Sequence, residues 1–198
     1  MKTIGLTGGI ATGKSTVAQI LRTDHELPVI DADQVARDVV APGSSAILEI
    51  RDVFGEGIFL ADGSLDRPSL RRLIANDDTA RTALEAITHP RIVASILEQL
   101  SQLANSGQPM AFVEAALLVE TGSYAAYDWL WVVTCPPEMQ LQRLMARDGC
   151  SQPEAAAMIS TQLPLAHKEA LADYVLPNAS DRESLKAVVN NALLGIKS

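Results

Sequence analysis

Short apolar runs alternate along the chain with longer stretches in which apolar residues recur every three or four positions. Thr3–Thr7 (TIGLT), Leu27–Asp31 (LPVID), Met110–Glu114 (MAFVE), Trp129–Thr134 (WLWVVT) and Asp173–Leu176 (DYVL) have the length and composition of strands. They are nearly continuous in apolar character, so they predict strands buried on both faces, as in a parallel sheet covered by helices. Between the first two, Val17, Ala18, Ile20 and Leu21 fall at helical spacing and complete a βαβ unit. The stretch from Gln34 to Gly107 is too long for one crossover and predicts a helical insertion at the sheet's edge. Within it, Ala61-Asp62-Gly63 signals a turn and Pro68 suits a first helical turn. Thr88 before Pro90 reads as a cap opening a helix with Ile92, Val93, Ile96, Leu97, Leu100 and Leu103 on one stripe, closed by Asn105-Ser106-Gly107. A second helical excursion runs from Pro137 to Leu163, broken at Gly149 and Pro153. The last helix is expected to open on Ser180 and Glu183 at capping-box spacing, followed by Leu185, Val188, Val189, Ala192 and Leu193. No repeat or linker separates these parts. The expectation is one α/β domain over 1–198, with its core at about 1–33, 108–136 and 170–198, an insertion at about 34–107 and a lid at about 137–165.

Composition narrows the partners. The 198 residues hold 16 Lys plus Arg against 24 Asp plus Glu, a net charge of −8, with 47% hydrophobic and only 4% aromatic residues. A broad basic face for nucleic acid or for an anionic membrane surface is therefore not expected. Cys135 and Cys150 make no disulfide framework, the start MKTIGLTGG has no signal-peptide core, and no apolar run approaches the roughly 18 to 20 residues of a span. These features predict a soluble, cytoplasmic protein.

Gly8-Gly9-Ile10-Ala11-Thr12-Gly13-Lys14-Ser15 fits GxxxxGK[ST], directly after the first predicted strand and directly before the first predicted helix. Glycines let successive peptide N–H groups turn inward around a polyphosphate, and the following helix adds its positive end. Lys14 supplies a point charge for β- and γ-phosphates, and the Ser15 hydroxyl suits Mg²⁺, which keeps phosphate oxygens and waters as most of its ligands. The pattern predicts nucleoside-triphosphate binding on a P-loop NTPase-type sheet. It leaves the phosphoryl acceptor open.

Asp31-Ala32-Asp33 ends the second strand, at the edge where ligands of open α/β sheets gather. Asp33 there is either a base for a hydroxyl that attacks the γ-phosphate or the cap of a helix starting at Gln34, and spacing weighs the two evenly. Glu114 closes the third strand, where an acid can orient Mg²⁺ through water. Asp31, Asp33 and Glu114 all remain candidates for that task. Arg143 and Arg147, four apart before the Gly149 break, share a helix face, either as part of a mobile segment closing over the nucleotide or as a solvated face with Arg147 paired to Asp148.

Taken together, the segments IGLTGGIATGKST (Ile4–Thr16), VIDADQVAR (Val29–Arg37), THPRI (Thr88–Ile92), VEAALLVE (Val113–Glu120), LQRLMARDG (Leu141–Gly149) and ADYVLPN (Ala172–Asn178) resemble those of dephospho-coenzyme A kinases, in order and over nearly the whole chain. The resemblance implies transfer of the ATP γ-phosphate to the ribose 3′-hydroxyl of dephospho-CoA, the last step of coenzyme A biosynthesis, with Mg²⁺ as the metal. It implies that Gly8, Gly9 and Ala11 to Thr16 (Ala11, Thr12, Gly13, Lys14, Ser15, Thr16) grip the phosphates, with Ser15 on the metal. It further implies Asp33 as the base, Arg143 in the lid, Asn178 at the adenine, Thr7, His89 and Leu117 bordering the acceptor, and the long insertion as the CoA-side domain. Ala11 stands where the family usually has Gly, at a cost of about 1 to 2 kcal/mol if φ is positive there. Ala116 and Val119 replace a usual Pro and a usual aromatic. Another small-metabolite P-loop kinase, acting on a nucleoside monophosphate, shikimate or a sugar acid, is the neighbouring reading. A non-catalytic nucleotide switch is the more distant one, for which no [NT]KxD element is present.

Overall fold

In the computed structural model, which describes residues 1–197, the apolar runs are strands: β1 (Lys2–Gly8), β2 (Val29–Asp31), β3 (Met110–Glu114), β4 (Trp129–Thr134) and β5 (Tyr174–Pro177). They form one parallel sheet in the order β2-β3-β1-β4-β5. β1 is central, with Leu6 opposite Glu114 of β3 and Gly8 opposite Val133 of β4. Those registers bring the carboxyl ends of β1, β3 and β4 to one edge, the edge from which the glycine-rich loop departs. The chain divides into two compact units, Met1–Ile30 with the chain from Leu103 onward, and Asp31–Gln102.

In the first unit, side-chain alternation along β4 supplies both faces of the sheet. Trp131 and Val133 join Ile4, Leu6 and Phe112 against Val17, Ile20 and Leu21 of α1 (Lys14–Asp24), and against Leu185, Val189 and Leu193 of the closing helix (Arg182–Lys197). Leu130 and Val132 pack on the other face with Leu118, Val119 and Tyr127. The predicted capping box at Ser180 is not the device that opens the closing helix. Asp181, one residue later, accepts the Ser184 N–H at 2.8 Å, and a carboxylate there meets both the free N–H groups and the positive helix end.

The second unit is helical: α2 (Ala32–Val39), α3 (Ser45–Phe54), α4 (Arg67–Asn76) and most of α5 (Asp78–Asn105), around Val40, Ala46, Ile47, Ile50, Ile58, Leu65, Leu70 and Ile87. Asp31, Ser44 and Asp66 cap the first three of these helices through side-chain oxygens. Pro68 lies in the first turn of α4 as expected. Thr88, by contrast, opens nothing: α5 runs unbroken through Pro90. Near the proline, Thr88 Oγ1 donates to the Leu84 carbonyl at 2.9 Å and the Arg91 guanidinium to that of Ile87 at 2.6 Å. His89 is consequently an exposed mid-helix residue rather than one at a helix start. The expected stripe is also incomplete, since Ile96 is buried but Val93 and Leu97 are 55% and 59% exposed.

The second excursion, in the first unit, comprises α6 (Pro137–Asp148), α7 (Gln152–Ser160) and a short α8 (Leu165–Glu169); the closing helix is α9. Gly149 ends α6 with φ 64°, whereas Pro153 sits in the first turn of α7 and helps to open it. The capping box of the protein is here, with the Ser151 N–H and hydroxyl both on the Glu154 carboxylate. Among the described residues, no helix is long and apolar enough to cross a membrane.

Candidate active site

The loop between β1 and α1 closes on itself. Thr12 Oγ1 donates to the Gly9 carbonyl at 2.9 Å, and the Lys14 ammonium lies across the rim, 3.0 Å from the Gly9 carbonyl and 3.4 Å from that of Gly8. Gly13 is the N-cap of α1, with φ 100° and no side chain to occupy the first N–H groups of the helix. Those donors are thereby presented to an anion. Ala11 has φ 58°, so the condition set for a strain cost at this position is met, on a residue that carries a Cβ.

Asn178 locks the far side. Its backbone N–H bonds to Thr134 at the end of β4, 2.7 Å, and its side-chain amide donates to the Thr12 carbonyl at 2.8 Å. A Cβ on Gly13 would collide with that amide, which is why glycine is required there. The Arg143 guanidinium donates to the Asn178 carbonyl at 3.0 Å, tying α6 to the same corner. It also faces Cys135, whose thiol is pushed up by burial against the opposing pull of Arg143.

A cleft of about 500 Å³ opens at this edge, lined by Ala11, Gly13, Lys14, Ser15, Thr16, Glu114, Arg143, Arg147, Asn178, Ser180, Arg182 and Leu185. Most of the nucleotide-side residues singled out in the sequence thus meet in one place. Arg147 lines the cleft while paired with Asp148 at 2.7 Å, which holds that carboxyl below its ordinary range. Arg182 and Ser180 join the lining without having been foreseen as site residues; a lone basic residue at the start of a helix, Arg182 in α9, does not stand out in sequence.

Other candidates lie elsewhere. Thr7 is fully buried and its hydroxyl donates to the Ala116 carbonyl at 3.2 Å, while Leu117 is 47% exposed. In the second unit, Asp33 is an exposed residue of the first turn of α2, and the capping task considered for it is done by Asp31, whose Oδ1 accepts the Gln34 N–H at 3.0 Å.

One buried ion pair escaped the sequence reading. Lys168 in α8 has no solvent exposure; its ammonium is 2.6 Å from Glu120 and 3.1 Å from the Ala116 carbonyl. Burial pushes the Glu120 carboxyl up, but the Lys168 hydrogen bond and charge, with backbone N–H donors, bring it below its ordinary value. A lysine in an otherwise polar helical segment gives no sequence signal of burial.

The comparisons with known proteins converge. A model of the dephospho-CoA kinase family matches residues 2–183. The chain is 44% identical over 197 residues to a dephospho-CoA kinase of Anaeromyxobacter dehalogenans, covering 100% of this chain and 93% of that one. It is 47% identical over 186 residues to a dephospho-CoA kinase of Geobacter sulfurreducens, covering 94% of each. A crystal structure of a Thermus thermophilus protein superposes with a TM-score of 0.86 at 34% identity, over 98% of this chain and 97% of the other. A P-loop on a parallel sheet, a cationic cleft beside it and full-length similarity of this degree lead to one conclusion: the chain belongs to the dephospho-CoA kinase family.

Proposed function

We propose that this kinase transfers the γ-phosphoryl group of ATP to the ribose 3′-hydroxyl of dephospho-CoA, releasing CoA and ADP. The observation that carries the reading is the cleft in which the Lys14 loop, the helix start at Gly13 with no side-chain cap, and Arg143 converge, in a chain of this family. Such a site works by positioning and by neutralising charge, because phosphoryl transfer asks little covalent chemistry of the protein. The peptide N–H groups of Ala11 to Thr16 and the Lys14 ammonium hold the phosphates, and Asn178 borders the adenine. The 3′-oxygen attacks the γ-phosphorus as the bond from that phosphorus to the β-bridging oxygen breaks. ADP leaves with the electron pair, and the hydroxyl proton passes to the Asp33 carboxylate. Arg143 meets the charge that develops on the transferred group.

Ser15 and Glu114 line the same cleft as Lys14, a small set of hard oxygen donors that fits Mg²⁺ with phosphate oxygens and waters as its remaining ligands. Ser15 would hold the ion directly and Glu114 through water, and the metal would neutralise the β- and γ-oxygens. Thr7, His89 and Leu117 belong to the acceptor side in this reading, the first through its bond to the Leu117-bearing loop. The segment at about 34–107 serves the acceptor, and the segment at about 137–165 serves as lid. A reducing cytoplasm suits the two free cysteines.

The deciding experiment follows ADP release with Mg-ATP and a panel of acceptors: dephospho-CoA, nucleoside monophosphates, shikimate and water. Dephospho-CoA is expected to exceed water by several orders of magnitude. A rate with dephospho-CoA no higher than with water would sink the reading.

A further inference from the structure

Ile10 precedes the strained Ala11, and both of its hydrogen-bonding groups are taken by glutamines from the α6–α8 segment. The Ile10 N–H donates to Gln162 Oε1 at 2.7 Å, and the Ile10 carbonyl accepts from Gln140 Nε2 at 2.9 Å. Gln140 is only 5% exposed, and it reaches the loop because Gly9 has no Cβ; one built there would stand 2.6 Å from its amide nitrogen. Ile10 is thus gripped from behind, while the residues from Ala11 onward line the cleft. A left-handed non-glycine residue persists only where its surroundings over-determine it. Two directed hydrogen bonds on the preceding residue are such a restraint.

Gln162 is itself held. The next N–H, that of Leu163, donates to Glu120 Oε1 at 3.1 Å, the same oxygen that pairs with Lys168 at 2.6 Å. Lys168 also donates to the Ala116 carbonyl, which takes the Thr7 hydroxyl at the end of β1. A buried ion pair is seldom worth more to stability than apolar residues of the same volume. What this one does is hold the backbone next to Gln162, at the Leu163 N–H.

We infer that Gln140 and Gln162 are positioning residues that hold the left-handed Ala11 turn in its phosphate-binding shape, and that the buried Lys168–Glu120 pair sets Gln162. This rests on the ATP-site reading above and adds a dependence carried by residue 11 itself: alanine at a positive φ makes the loop need its glutamines.

The test is a double-mutant cycle read by equilibrium titration with Mg-ATP. Gln162→Ala is expected to weaken binding about fivefold in the natural Ala11 background, the worth of one hydrogen bond. In the Ala11→Gly background the same substitution is expected to cost less than about twofold, because glycine adopts the left-handed turn without restraint. Equal losses in the two backgrounds overturn the inference, since a merely structural role for Gln162 is indifferent to residue 11. Failure of the unmodified protein to bind ATP would instead overturn the ATP-site reading, so the two failures are distinct. Lys168→Met is expected to reproduce the Gln162→Ala loss and to add nothing to it, with Glu120→Gln as the substitute if the apolar variant does not fold. Wild-type affinity in either folded variant overturns the assignment of the ion pair.

Discussion

Two aspartates two positions apart, where β2 gives way to α2, stand in different settings. Asp31 closes the N-terminus of α2, and Asp33 follows in its first turn with no capping bond. Substituting each therefore gives opposite signatures. Asp33→Asn is expected to lower kcat by about 10² to 10⁴ with ATP affinity and melting temperature retained, the loss typical of a general base. Asp31→Ala is expected to cost about 1 kcal/mol of stability, the usual worth of an N-cap, measured by urea unfolding. An unchanged kcat in Asp33→Asn would end its role as base. Residue type and spacing made Asp33 a candidate but could not separate capping from chemistry, because which carboxylate turns toward the Gln34 N–H is decided by one backbone dihedral at Asp31. The same limit displaced the cap of α9 from Ser180 to Asp181. Ala11 shows a related limit: the motif left the sign of its φ open and made a strain cost conditional on it, and only the folded loop shows that φ is positive, at 58°.

Among the elements, strands were the most legible, since a buried parallel strand must be apolar on both sides. β3 and β4 begin and end where the apolar runs do. Helix boundaries depend on partners outside the helix and were less so. Thr88 before Pro90 looked like a start, but α5 continues through the proline and Thr88 Oγ1 bonds back to the Leu84 carbonyl within the helix. The α6–α8 segment rests on the Lys168–Glu120 pair, which has a testable pH dependence. The Glu120 carboxyl lies below its ordinary value in the folded protein. A depressed carboxylate contributes stability that is full above the unfolded value and is lost as pH falls through the folded one. Thermal melts of the natural protein and of Glu120→Gln, run from about pH 7 to about pH 3, are therefore expected to differ most at the upper end and to draw together below about pH 4.5. A difference that stays constant across that range would show that the ion pair contributes nothing through its charge.

At the scale of the whole molecule, a net charge of −8 belongs to an enzyme whose proposed substrates are both polyanions. Attraction for them has to be local, and the cations that line the cleft are Lys14, Arg143, Arg147 and Arg182. Ligand binding then reports on the fold: Mg-ATP at about 100 times its Kd is expected to add about 2.7 kcal/mol. For a chain of this size that is a rise of roughly 5 to 10 °C in melting temperature. Lys14→Ala is expected to abolish most of the rise, and an undiminished rise would remove Lys14 from the phosphate site. The sequence by itself determined the class of sheet, the phosphate loop and the family, because these depend on local periodicity and on motifs whose geometry is carried by neighbouring residues. Only the tertiary structure decided that Asn178 locks Gly13, that Gln140 and Gln162 grip Ile10, and that Lys168 is buried on Glu120. Those contacts join residues up to 166 positions apart, and a side chain's partner at such separation is set by how the sheet orders its strands, which no local pattern encodes.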